Sequence, residues 1–143
     1  MRHVILLLIS VSFIISDSIY AQDIASHQWK NRVVLVISDA GDHPIAKKEM
    51  SEFNTYADEM NDRKLIVYQI TPSQYKIGVE NATWKKSQTL FEKFKSLEGA
   101  FEIILIGLDG GIKLRKSEFI SSNDLFKTID VMPMRRSEIR QKD

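Results

Sequence analysis

Phe101–Arg115, FEIILIGLDGGIKLR, is the stretch that decides the fold. Ile103, Ile104, Leu105 and Ile106 form a continuous aliphatic run, the pattern of a strand covered on both faces. Asp109-Gly110-Gly111 then supplies residues that tolerate positive φ in a tight turn. Ile112, Lys113, Leu114 and Arg115 alternate apolar and charged, as a half-exposed return strand does. The two strands are therefore antiparallel. A purely parallel, doubly wound sheet would need a crossover between them, and the turn leaves no room for one.

Working outward, Arg32–Ile37 (RVVLVI) reads as a second buried strand, and Lys64–Ile70 (KLIVYQI) as a third, nearer the sheet edge because its flanks are polar. The polar loop Ser38–His43 leads into Pro44, which suits a first helical turn because its missing N–H would be unpaired there. A helix is expected from Ile45 to about Met60. Phe53, Tyr56, Ala57 and Met60 form its apolar stripe, and Lys47, Lys48, Glu49 and Glu52 lie elsewhere on the turn. Thr71–Asn81 reads as a loop. A second helix is expected from Thr83 to Leu97, burying Trp84, Leu90, Phe91, Phe94 and Leu97, with Gly99 at its C-cap. Ser121 and Asp124 resemble a capping box opening a last short helix, which buries Leu125, Phe126 and Ile129 and is stopped by Pro133. The charged tail Arg135–Asp143 is expected to fray, and Trp29 to pin the N-terminal segment onto the core. This order of elements predicts an α/β fold, a thioredoxin-like mixed four-stranded sheet flanked by helices.

At 143 residues, 43% hydrophobic and 27% charged, the chain suffices for one ordinary domain. Arg2, the short apolar run Val4–Ile15 and the small residue Ala21 read as a signal peptide over residues 1–21, leaving one domain over 22–143. The apolar run falls short of the roughly 20 residues of a membrane-spanning helix. The expected address is periplasmic or secreted, with no membrane association after cleavage. Loss of Arg2 and Asp17 leaves 19 basic against 18 acidic residues, a near-neutral balance that argues against a nucleic-acid partner. The chain has no cysteine, so thiol-dependent redox chemistry is excluded.

Three segments carry a family resemblance: Trp29–Arg32, Leu105–Arg115 and Ile129–Glu138, the last containing Met-Pro-Met-Arg. Together they resemble a bacterial secreted domain of unknown function related to the DUDES peroxiredoxin-like domain, which also occurs in vertebrate extracellular-matrix and sushi-repeat proteins. The resemblance implies a thioredoxin-like fold and no established activity. Peroxidase chemistry does not carry over, because no cysteine can serve as the nucleophile.

In a thioredoxin-like fold chemistry sits where the first strand meets the first helix. Asp39, Asp42 and His43, joined by Arg115 from the last strand, form the candidate small-ligand site. Two carboxylates and an imidazole are competent metal ligands, but three in five residues match no standard spacing. The ordinary alternative is that Asp42 caps the helix, Asp39 closes a turn and His43 is exposed. Met132, Met134, Arg135 and Arg136 combine flexible apolar side chains with fixed cations, a candidate docking patch for a protein partner in the envelope. The alternative there is that the methionines pack over the last helix while the arginines pair with Glu138 or solvent. No catalytic residue, metal or cofactor is assigned. The leading expectation is a binding or scaffold module, with a non-thiol enzyme or metal-binding loop at Asp39–His43 as the alternative.

Overall fold

A computed structural model describes residues 23–142; the expected signal peptide lies outside the described residues. A helical turn at residues 23–25 leads to β1 (Arg32–Ser38), then α1 (Pro44–Thr55), α2 (Ala57–Asp62) and β2 (Leu65–Ile70). Next come β3 (Gln74–Ile77), β4 (Lys85–Lys86), α3 (Thr89–Phe94), β5 (Phe101–Ile106), β6 (Ile112–Lys116), α4 (Ser122–Asp130) and α5 (Pro133–Arg140). The strands form one mixed sheet in the order β4-β3-β2-β1-β5-β6, with β1 and β2 parallel and every other pair antiparallel. All seven residues of β1 and all six of β5 are buried, as their continuous apolar runs require.

Alternation along these strands sorts side chains into two cores. Val34, Val36, Phe101, Ile103 and Leu105 meet Ala46, Met50 and Phe53 of α1 and Leu125, Phe126 and Ile129 of α4 on one face. On the other, Val33, Leu35, Ile37, Ile104 and Ile106 meet Tyr68, Tyr75, Leu90 and Ile24. Ile24, not Trp29, pins the N-terminal segment: Trp29 takes φ +66° and stays 64% exposed.

Among the described residues the sheet has six strands where four were expected, because β3 and β4 occupy the stretch read as a loop and the start of a helix. β2 is strongly apolar, and an exposed edge there would be an aggregation hazard. Pairing with β3 covers it, with Tyr75 stacked on Tyr68 at 6.2 Å between ring centres. The two-lysine β4 makes the edge instead. The helix expected over 83–97 shrinks to α3. Trp84 packs against Gly41 rather than along a helical face, and Gly99 caps nothing, since the chain turns extended at Lys95.

The first helix breaks at Tyr56, which is exposed and sets its ring edge-on to Phe126. Glu49, placed by its charge on the outer side, is buried against the sheet. The cap at Ser121 forms as expected, its Oγ accepting from the Asp124 amide at 3.2 Å. Pro133, by contrast, starts a helix rather than ending one, and the tail is ordered through Arg140 because Arg135 is buried in ion pairs.

Candidate functional site

The loop at the C-terminal end of β1 is a tight structural corner. Ser38 Oγ donates to the Ala40 carbonyl at 2.8 Å, the Asp39 amide to the Ala100 carbonyl at 3.0 Å, and Gln69 Nε2 to the Gly41 carbonyl at 3.2 Å. His43, not Asp42, is the N-cap of α1, and it gives no side-chain cap. Its ring stacks on Phe101 at 5.8 Å, and its Nδ1 is buried without a partner. Asp39 and Asp42 are exposed. Among the described residues no three His, Asp or Glu side chains are grouped to hold a metal ion.

Arg115 does not join them. Ile37 pairs with Glu102, and Ile104 with Arg115, so Arg115 projects on the face of Leu35, Ile37 and Ile104. His43, stacked on Phe101, belongs to the opposite face. The Arg115 guanidinium is bound to the Glu102 carboxylate and donates to the Phe94 carbonyl at 2.9 Å and Ser96 Oγ at 2.7 Å. Glu102, 0% exposed, also accepts from the amides of Ser96 and Leu97, both at 2.9 Å, with Lys95 Nζ 3.5 Å away. Burial alone would raise its pKa; the two amides and Arg115 outweigh that and hold it below the ordinary carboxylate value.

On the opposite face the Glu49 carboxyl is raised to about 7, first by burial and then by neighbouring Glu52, while the Ile120 amide at 2.6 Å and Lys48 oppose the shift. Its Oε2 has no partner. Glu52 accepts from the Ser122 amide at 3.1 Å, so both carboxyls hold the entry to α4. They serve packing.

The tail residues separate. Arg135 is buried and spent on Asp62, Asp130 and Glu138; Arg136 and Met134 are exposed; Met132 packs against the core beside α4. Arg135 is therefore a brace within the fold, as the pairing alternative had it, and adds no charge to a docking surface.

Concave surface lies at the other end of β1 and β5, around the hairpin. The turn closes through Gly110 at φ +81°, the Gly107 amide donating to the Gly111 carbonyl at 2.9 Å. Asp109 Oδ1 accepts from the Gly111 amide at 3.0 Å and Oδ2 from Lys113 Nζ at 2.6 Å. The Trp29 amide donates to the Leu108 carbonyl at 2.6 Å, and Gln28 Nε2 to the Asp109 carbonyl at 2.9 Å, strapping the N-terminal segment to the turn.

One cleft, of about 320 Å³, is walled by Leu108, Met132, Pro133 and Met134, with Arg32 on its floor and Asp109 and Lys113 beside it. A second, of about 280 Å³, has Ile24, His27, Asn31 and Phe94 in its walls. There His27 Nε2 lies 2.9 Å from the Tyr68 hydroxyl and Nδ1 3.4 Å from Asn31 Oδ1. Burial pushes the Tyr68 phenol well above its ordinary value, so it stays protonated beside His27. That trio orders the N-terminal segment and supplies no nucleophile.

Sequence reasoning named Met132 and Met134 but missed Arg32, Leu108 and Lys113. The signal was present: the first is an arginine heading an otherwise apolar strand, and all three lie in segments that carry the resemblance. The chain belongs to the family described as domain of unknown function DUF4174, which matches residues 23–138. No curated protein and no solved structure matches it.

Proposed function

We propose that this domain is an exported, thioredoxin-like binding module that performs no thiol chemistry and works through the hairpin end of its sheet. One observation carries the reading. Three segments far apart in sequence, at Arg32, Gly107–Lys113 and Met132–Met134, meet around a single cleft. Ligand sites are concave, mostly apolar and marked by a few polar groups, and this cleft has that composition at the small end of the usual size range. The thioredoxin-like assignment is supported by the central order β2-β1-β5-β6, with β1 and β2 parallel and β5 and β6 antiparallel. β3 and β4 are then an added hairpin. Export to the periplasm or beyond is supported by the short Arg2-led apolar run ending near Ala21.

Amide NMR of the purified protein, titrated with a panel of small apolar and charged fragments, tests the site. Saturable shifts should group at Leu108, Lys113, Met132 and Met134. Grouping at Asp39–His43 instead would return the site to the far end of the sheet. Cell fractionation of a tagged full-length chain checks export, which requires the processed form outside the cytoplasm.

A further inference from the structure

The cleft between the hairpin and α5 has one polar group that the fold leaves unused. Arg32 is 1% exposed. Its Nη1 donates to the Arg63 carbonyl at 2.9 Å and to Glu138 at 3.2 Å, and its Nη2 reaches Glu138 at 3.4 Å. Its Nε is buried with no partner. An arginine donor already stripped of water gains a full hydrogen bond from any acceptor that reaches it, because its desolvation cost is already present in the empty protein.

A second, independent feature points into the same space. Helix α5 is eight residues long and begins with Met132 as N-cap and Pro133 as first residue, so no side chain caps it. The first-turn amides of Met134 and Arg135 have no acceptor within the helix, and this end carries the positive pole of the helix dipole. Lys113 adds a cation beside the cleft, lying across Gly107, though Asp109 partly neutralises it. The remaining walls, Leu108, Met132, Pro133 and Met134, are apolar. The two methionines are unbranched and yield readily, so the wall they form can adjust to an entering group.

Resting on the reading that the hairpin end is the working end, we propose that this cleft binds a small carboxylate carried on an apolar body. The carboxylate is received by Arg32 and the start of α5, and the apolar part lies along Leu108, Met132 and Met134. The volume, about 320 Å³, suits a small molecule rather than a folded partner.

Octanoate, octanol, octylammonium and acetate, each titrated into the purified protein and followed by amide NMR, test this. Octanoate should give saturable shifts at Leu108, Met132, Met134 and Arg135. Octanol and octylammonium should bind at least ten-fold more weakly, and acetate should give no saturation in the same range. Equal binding of octanol and octanoate would overturn the carboxylate while leaving the cleft as the working site. Saturable shifts at Asp39–His43 alone would overturn the working end itself, and silence with all four probes would overturn the ligand class. Met134→Asp changes an exposed residue, so the fold should survive; octanoate binding should then weaken at least ten-fold, and undiminished binding would refute the proposal.

Discussion

Glu102, on the α3 face of the sheet, and Glu49, on the α1 face, are both fully buried, and their surroundings treat the charge in opposite ways. Glu102 receives two amides, a guanidinium and a lysine, so it is held ionised. Glu49 receives one amide, keeps one oxygen unpaired and faces a second carboxylate, so it holds its proton to about pH 7. The difference shows that burial does not decide a carboxylate's state. The count of donors does, and the two faces should answer to pH with opposite signs.

Breaking the Glu102 cluster should have the largest effect. Both loop amides share one Glu102 oxygen and Arg115 takes the other, so Glu102→Gln turns an N–H toward either the guanidinium or the pair of amides and leaves Arg115 without its anion, a loss of about 3–5 kcal/mol by denaturant unfolding at neutral pH. Because the folded pKa is depressed, this contribution is present above the unfolded value and disappears as pH falls through the folded one. The difference between wild type and variant should therefore shrink in acid. A difference that stays constant to low pH would show that Glu102 is not the charged partner.

Glu49 should do the reverse. Its folded pKa is raised, so its contribution is fully present below about pH 4.5 and is lost as pH rises through about 7. Glu49→Gln, which mimics the protonated form, should match wild type in acid and exceed it above pH 8 by roughly 3 kcal/mol, the value of that shift. If the variant were no more stable at pH 8.5, the ionised form would have a partner and the contrast between the faces would fail.

The smallest effect sharpens the contrast. Ser121→Ala removes an exposed cap from the helix that Glu49 and Glu52 anchor. It should cost about 1 kcal/mol, the same at every pH between 5 and 9. A pH-dependent cost would mean that the cap and the Glu49 carboxyl are coupled.

The hairpin, the two buried strands and the Ser121 cap were legible because each is written in local signals: aliphatic runs, an Asp-Gly-Gly turn and a serine three residues before an acid. Other features depend on distant partners. Nothing in Gln74–Ile77 announces a strand until the apolar edge of β2 demands a cover. Glu49 and Arg135 look like solvent residues because their amide and carboxylate partners come from remote segments. The local pattern puts Arg115 at the correct end of the sheet but not on the correct face, a distinction set by register with Ile104. The cleft is half legible, since its methionines stand out in the tail while Arg32 reads only as the start of a strand.

The Glu102 cluster has a further consequence in a chain without cysteine. It ties the end of α3 and the following loop to β5 and β6 through charge and hydrogen bonds, a cross-link of the kind a disulfide could also make. A covalent staple opens when the local thiol balance turns reducing. This one is indifferent to electrons and yields only to protons, so the domain should have the same stability in reducing as in oxidising surroundings.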